Sequence, residues 1–426
     1  LKRLGGKEQS EEIIRLLGNL DLNNPNQVNA FIRSITKPKA MDYINFIFVN
    51  SILSGIKTHI VNFGSTALYT VWSPLQRGAA ATVELVLAPL SGRARTRFFG
   101  EVAQDVFGMV RGVPEGLRLA FYQAKHGFTL EQFAKYEIGR NPFKGKIGRV
   151  IGIPTTAMGM ADQFWKGVAK TSALRAEAYR VASLERLKGQ AFLSRLQELM
   201  SNPTVEILKN AEARALDRLY LREPGQFANL LMKIRSAVKI FGIEPFRFFF
   251  PFVKTPINLV KVGMENSPVG LMNPKLWENL LRKNPKAADQ LGEAILGSLV
   301  ATAIAIYTVD GKITAAAPTS PAERDRFYRE GKQPFSVKIG DKWVAYNRID
   351  PFNQVFTQVA AVINGVKSNL PVDQIVWQTI STIGHNLVSQ QYMSGPSDLI
   401  NAIEDPERYG QQWIERFAGS MAVPFS

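Results

Sequence analysis

Cysteine is absent from the 426-residue chain, and histidine is almost absent. Without cysteine the chain forms no disulfide, and it offers neither a thiolate metal ligand nor a cysteine nucleophile. The three histidines, His59, His126 and His385, lie far apart, and no two of them have the spacing of a metal-ligand pair. A structural zinc or iron site is therefore not expected, and we predict no bound metal or other cofactor.

The motifs of common nucleotide-binding and hydrolytic enzymes are missing too. The sequence has no GxxxxGK phosphate loop, no GxGxxG that opens a helix after a strand, and no GxSxG turn around a nucleophilic serine. The predominantly helical pattern leaves no room for a doubly wound sheet.

Glutamates are common, but their neighbours do not indicate a catalytic groove. Glu185, Glu198, Glu206 and Glu212 lie on amphipathic helical segments, where a solvated face is the ordinary explanation. The alternative is a lone glutamate that acts as the general acid of a peptidoglycan-cleaving enzyme. No sugar-binding pattern surrounds these residues, and we predict that this chain is not an enzyme.

Composition favours a folded protein with anionic partners. The chain is longer than the ~250–300 residues that one hydrophobic core usually supports, so two or more subdomains are expected. Its net charge is +16 at pH 7, which favours nucleic acid, anionic lipid or an acidic protein as partner. Because the chain begins with Leu1 and ends in MAVPFS, we interpret it as a fragment of a longer polypeptide.

A clean hydrophobic span is lacking, although residues 41–90 come close to one. Between Thr58 and Gln76 no residue is charged when histidine is neutral, a length near the ~20 residues of a transmembrane helix. The run is diluted by small polar residues and is expected to be interrupted at Gly55, Gly64 and Pro74. Two alternatives follow: a buried core or subunit interface, or a surface that contacts a membrane only within an assembly. The candidate contact residues are Phe46, Phe48, Ile60, Phe63, Leu68 and Trp72.

A second apolar segment, residues 244–252, holds five phenylalanines among nine residues. Its two prolines argue against one regular helix. It is expected to act either as an aromatic wedge in a core or as a segment that inserts into lipid or a partner groove, with Phe248, Phe249 and Phe250 as candidates. Residues 294–309 are sixteen uncharged residues, which is short for a full span and typical of a buried helix.

A basic turn follows the long apolar stretch. Arg93, Arg95 and Arg97 alternate at a spacing of two, and in a loop such guanidiniums can bind phosphates of DNA or lipid, or an acidic partner. The alternative is a solvated turn that keeps the surface soluble.

The predicted fold class is mainly α, a multi-helix elongated or bundle-like chain with one small β-hairpin at 335–346. The hairpin is indicated by alternating residues before the turn and by a two-residue loop, Gly340-Asp341, with glycine first. Residues 154–187 carry a helical stripe of mostly small residues, which lets another helix approach closely. Four regions are predicted: an N-terminal helical arm at 1–40, an apolar helical region with the basic turn at 41–152, a central helical domain at 153–310, and the hairpin with C-terminal helices at 311–426.

Three segments, in this order and spacing, resemble a known family. They are NSILSGIKTHIVN at 50–62, FPFVKTPIN at 250–258 and GKQPFSVKIGDKWVAYNRIDP at 331–351. Together they resemble the large polyvalent protein associated domain of giant virion proteins of tailed bacteriophages, and parts of internal virion (ejection) proteins. The resemblance covers residues 40–426.

The resemblance implies a structural and delivery function and no catalytic residues. Such proteins are packaged inside the capsid, leave it ahead of the genome, and reassemble into a conduit across the host envelope. It implies copies of the same chain, other core, portal or ejection proteins, non-specifically bound phage DNA and the host membrane as partners. The expected locations are the virion interior and then the periplasm and inner membrane. The alternative is a helical scaffold or docking domain of a larger virion enzyme, such as a virion RNA polymerase, without a pore.

Overall fold

The structure, a computed structural model, describes most of the chain between residues 35 and 389. The described residues are 35–128, 141–143, 145–222, 225, 229–232, 252–318 and 320–389, with 13, 14, 16–18, 20, 22, 27, 28, 31 and 32. The predicted aromatic wedge residues Phe248, Phe249 and Phe250 lie outside them, as does most of the predicted N-terminal arm.

The fold is mainly α with one small β-hairpin, which confirms the predicted fold class. The helices of the first half are α1 Ala40–Ile52, α2 Ile56–Leu90, α3 Gly100–His126, α4 Gly145–Ile151, α5 Ile153–Leu184, α6 Gly189–Ser201 and α7 Val205–Arg218. The second half contains α8 Lys254–Glu265, a 3₁₀ helix Pro268–Met272, α9 Pro274–Leu281, α10 Lys286–Val309, α11 Pro321–Arg329, β1 Ser336–Ile339, β2 Lys342–Ala345, α12 Phe352–Lys367 and α13 Val372–Ser389.

The long helix α2 corrects part of the sequence prediction. The chain does break at Gly55, which precedes α2, and α1 and α2 meet there at an angle of 76°. Gly64 and Pro74, however, lie inside the 35-residue helix and do not end it. A proline inside a helix costs about 3 kcal/mol or more. Packing of the buried face of α2 against neighbouring helices offsets that cost, because tertiary packing contributes most of helix stability in proteins.

Helices α3 and α5 pack with their backbones in direct contact. Gly108, Gly112 and Gly116 follow one another at four-residue spacing on the buried face of α3. A Cβ atom added to Gly108 would lie 2.6 Å from the Cα of Ser172, and one added to Gly112 would lie 2.8 Å from the Cα of Val168. The predicted close approach along the 154–187 stripe is therefore confirmed, and the contact uses the small-xxx-small pattern common between membrane helices.

Helix α10 packs along α2 through another glycine. A Cβ added to Gly292 would lie 2.5 Å from the backbone nitrogen of Ala80. The prediction of a buried helix at 294–309 holds for only one side of α10. Ala301 and Ile304 are buried, whereas Leu299 is 65% exposed.

The hairpin closes a small core at the end of α10. Strands β1 and β2 pair antiparallel with Ile339 opposite Lys342, and Gly340 in the turn has a φ of +59°. Phe335 and Tyr346, which flank the strands, are buried beside α10 and α12. The predicted hairpin at 335–346 is confirmed.

We expect Gly112→Ala to lower the free energy of unfolding by about 2 kcal/mol, because the added methyl group overpacks the α3–α5 crossing. Equilibrium urea denaturation measures the change. Gly64→Ala is the matched control, since nothing lies within 4 Å of its added Cβ, and it should stabilise the helix by about 0.5–1 kcal/mol. Equal stability of the two variants would contradict the close crossing.

Candidate interaction surface

Beyond its first turn, which carries the exposed Lys57, helix α2 turns its charges inward. Arg77 and Glu84 are the only two charged residues between Thr58 and Leu90, and both are buried, with exposed fractions of 4% and 0%. Buried charges and exposed apolar patches are the informative departures from an ordinary soluble protein. Arg77 and Glu84 take part in buried ion pairs, and the opposite side of α2 is an exposed apolar surface.

Arg77 is bound by three carboxylates from two other helices. Its Nε donates to Asp105 Oδ2 at 2.9 Å, and its Nη1 donates to Glu101 Oε2 at 3.2 Å. Glu177 Oε1 of α5 lies 3.6 Å from Nη1. All three carboxylates are almost fully buried, so the network ties α2 to both α3 and α5.

Asp105 is shared with a second buried arginine. Arg218, at the end of α7, donates from Nη2 to both oxygens of Asp105, at 2.9 and 2.8 Å. Its Nη1 donates to the hydroxyl of Ser172 at 3.0 Å, and that hydroxyl in turn contacts Asp105. Ser172 packs directly against Gly108, whose missing side chain lets α5 come close to α3. This close contact brings the Ser172 hydroxyl within reach of Asp105 and Arg218.

Burial alone would raise the pKa of Asp105, but the guanidiniums of Arg218 and Arg77 outweigh it and hold that pKa well below its ordinary value. Glu177 behaves in the same way. Burial opposes its ionisation, and Arg180, Arg77 and Arg214 lower its pKa. Both groups are therefore carboxylates at neutral pH, and the network is ionic.

The basic turn joins this network instead of facing solvent. Arg97 donates to both oxygens of Asp289 on α10, at 2.7 and 2.6 Å, and Arg93 donates to both oxygens of Glu84, at 2.5 and 2.8 Å. These bidentate pairs correct the prediction that Arg93 and Arg97 bind phosphate, since their guanidiniums are occupied by carboxylates. Arg95 is half-buried over the ring of Phe98, at 5.7 Å from its centroid, and has no carboxylate within ion-pair distance among the described residues.

A polar cavity of about 450 Å³ adjoins the network. Its lining includes five cationic side chains, Arg97, Arg180, Arg214, Arg222 and Lys286, and five acidic ones, Glu177, Asp217, Glu265, Asp289 and Glu293. Burial raises the pKa of Glu293 to about 8, so this side chain is largely protonated at neutral pH, and the lining then carries five positive and four negative charges. Within the described part of the chain, no group of three or more histidine, aspartate or glutamate side chains is arranged to hold a metal ion.

The side of α2 that faces away from the network is an uncharged, apolar stripe, which we call the outer face. It includes Leu68, Val71, Leu75, Leu85 and Val86, and Val71 and Leu75 are 61% and 53% exposed. The exposed residues of α2 from Ile60 to Leu90 include none with a formal charge. α10, which packs along α2, exposes Ile295, Leu299 and Ile306.

The predicted contact residues divide between the surface and the interior. Ile60, Phe63 and Leu68 are exposed, and Phe63 also stacks on Phe164 with ring centroids 5.7 Å apart. These three stay candidates for a membrane or subunit contact.

The other three candidates on this stretch are used inside the chain, which corrects the prediction for them. Phe46 and Phe48 are buried, and Phe46 packs against Phe143. Trp72 donates its indole N–H to Asn266 at 3.2 Å and meets the ring of Phe352 edge-on. The sequence showed that these residues are apolar but not which side of the helix other elements would cover.

By length and composition, one described helix, α10, can cross a membrane, and α1 with α2 would form a second, bent span. Core helices of soluble proteins share this length and composition. Comparison of the chain with protein-family models, curated proteins and solved structures found no match. The surface must therefore be interpreted from its own chemistry.

We expect Asp105→Asn to lower the free energy of unfolding by about 3 kcal/mol or more, because it leaves Arg218 buried without a carboxylate. Chemical denaturation at pH 7 measures the loss. Glu185→Gln, which breaks a partly exposed pair with Arg195, is the control and should cost less than about 1 kcal/mol. Similar losses in the two variants would show that the buried network contributes no more than a surface pair.

The network also predicts how stability depends on pH. The folded pKa values of Asp105 and Glu177 are below their ordinary values, so their contribution is complete above the unfolded pKa of about 4. It is lost as pH falls from there toward the lowered pKa values. Denaturation midpoints at pH 7, 5, 4 and 3 should fall steeply only below about pH 4, and less steeply in Asp105→Asn. Parallel profiles of the two proteins would contradict this.

Proposed function

We propose that this chain is a structural, internal virion protein of a tailed bacteriophage that oligomerises into a conduit for genome delivery across the host envelope. The observation that carries the proposal is the inverted polarity of α2 between Thr58 and Leu90, where both charged residues are buried and the outer face is apolar. The resemblance of 50–62, 250–258 and 331–351 to phage virion proteins supplies the biological setting.

An apolar outer face is expected on a surface that neighbouring subunits or lipid cover in the functional assembly. Contiguous exposed apolar patches mark contacts with proteins or membranes, because water solvates them poorly. The outer face of α2 is such a patch, and α10 beside it exposes further apolar residues. Small residues of α2, among them Gly64 and Gly78, also permit close packing of another helix. Neighbouring copies would cover the face inside the capsid, and lipid would cover part of it after ejection.

The buried ion network suits a subunit that moves from one environment, the capsid interior, to another, the membrane. Its strongest pairs, such as Asp105 with Arg77 and Arg218, lie within one chain and are shielded from solvent. Salt screens buried pairs much less than exposed ones. The bundle can therefore keep its internal structure when the medium outside α2 changes from neighbouring protein to lipid.

The scaffold alternative is favoured by a different observation. Phe46, Phe48 and Trp72 pack within the chain, so half of the apolar candidates on 41–90 serve its own core. A docking domain of a larger virion enzyme would use the remaining apolar face for protein contacts alone. The two proposals differ in whether the chain binds lipid.

Flotation with anionic vesicles, followed by electron microscopy of the floated fraction, tests the proposal. We expect the purified chain to float and to form rings or tubes with an opening wide enough for duplex DNA. Val71→Asp/Leu75→Asp should reduce flotation at least tenfold, because each substitution places a charge on the outer face.

Val205→Asp is the matched control, since Val205 is an exposed apolar residue on a different helix, α7. It should float like the wild type. Monomers that stay at the bottom of the gradient would rule out the conduit and favour the scaffold alternative.

A further inference from the structure

Helix α3 presents a second uncharged stripe that the conduit proposal does not use. From Val106 onward, exposed apolar residues recur along one side of the helix at spacings of three and four, and they are Val106, Val110, Val113, Leu117 and Phe121. Three exposed basic residues, Arg111, Arg118 and Lys125, follow at intervals of seven, and Arg118 is paired with Glu115 at 2.7 and 2.6 Å. At 100° per residue these basic residues line one edge of the apolar stripe.

Arg111 belongs to a cluster with Arg175 of α5. The guanidinium carbon of Arg111 lies 5.2 Å from the ring centroid of Phe107, and that of Arg175 lies 4.7 Å from the same centroid. Arg175 also donates from Nη2 to Gln104 at 3.1 Å, which holds its side chain beside α3. The two cations thus share one aromatic ring at the surface of the α3–α5 pair.

This cluster lacks the compensation that other arginines of the fold have. Among the described residues, no carboxylate lies within 4.0 Å of Arg111 or Arg175, whereas Arg77, Arg97 and Arg218 each have at least one. The Nε of Arg175 is buried without a hydrogen-bond acceptor. Two like charges that approach one ring without a counter-charge favour the binding of an anion.

We propose that Arg111 and Arg175 bind the phosphate of an anionic phospholipid headgroup while the apolar stripe of α3 lies in the adjacent acyl region. The inference rests on the proposed function and names the part of the chain that contacts the membrane surface. Guanidinium donors match phosphate oxygens in geometry and charge. The Phe107 ring contributes further to holding the guanidiniums in place.

The apolar stripe of α3 favours lipid over nucleic acid as the ligand of the arginine cluster. A helix with basic residues along one edge and Val, Leu and Phe beside them is typical of helices that lie in a membrane interface. Val106 and Val110 flank the arginine cluster in sequence and are exposed. Duplex DNA would engage the guanidiniums but leave this stripe in water, whereas a bilayer covers both.

The test compares the full chain with Arg111→Gln/Arg175→Gln in flotation with phosphatidylcholine vesicles, with and without 30% phosphatidylglycerol. We expect the wild type to prefer the anionic vesicles, and the double variant to bind them about 30-fold more weakly. Arg111→Gln alone, at an exposed side chain, should weaken binding about fivefold and guards against misfolding of the double variant. In about 0.5 M salt the wild type should lose most of its preference for the anionic vesicles.

Arg324→Gln/Arg329→Gln on α11 removes two exposed charges from another helix and should bind like the wild type. An equal loss in this control would overturn the site, because net charge alone would then explain the effect. Equal flotation of wild type and double variant would overturn the phosphate site but leave the outer face of α2 as the membrane contact. A wild type that binds neither vesicle would overturn both proposals. Weaker duplex DNA binding by the double variant, with vesicle binding unchanged, would assign the cluster to nucleic acid.

Discussion

The pairing of Asp105 with Arg77 and Arg218 is the interaction on which the arrangement of the central helices depends. It joins α2, α3 and α7, and Ser172 of α5 completes it. Burying an ion costs several kcal/mol unless close partners compensate it. The helices must therefore meet at a distance and rotation that bring every partner within reach. Gly108 and Gly112 make this possible, because any larger residue would hold α5 away from α3.

The same network determines which side of α2 faces outward. With Val71 and Leu75 on one side and Tyr69 and Ala80 on the other, apolar residues alone would allow α2 to bury either face. Arg77 and Glu84 remove this ambiguity, because only one rotation of the helix brings them to Asp105 and Arg93. The outer face of α2 is therefore apolar because Arg77 and Glu84 must face their buried partners.

Sequence patterns predicted the parts of the fold that depend on local chemistry. The hairpin follows from alternation before the Gly340-Asp341 loop, and the small-residue stripe of α5 follows from helical spacing. The ion network could not be predicted, since Asp105 and Arg218 are 113 residues apart and each resembles an ordinary surface residue. For the same reason Arg93 and Arg97 were expected to bind external phosphate. Regular recurrence of Gly108, Gly112 and Gly116 was a signal for the helix crossing that could have been recognised.

The length of α2 indicates how its outer face would be divided between lipid and protein. At 1.5 Å per residue, a helix of 35 residues is about 52 Å long, and a bilayer core is about 30 Å thick. The uncharged run of α10, residues 294–309, measures about 24 Å on the same basis. A bilayer in contact with both helices would leave roughly two fifths of α2 uncovered, and the outer face is apolar along the whole of α2 from Ile60 to Leu90. Neighbouring subunits are the partner that would cover it, so membrane contact and oligomerisation belong to the same proposal.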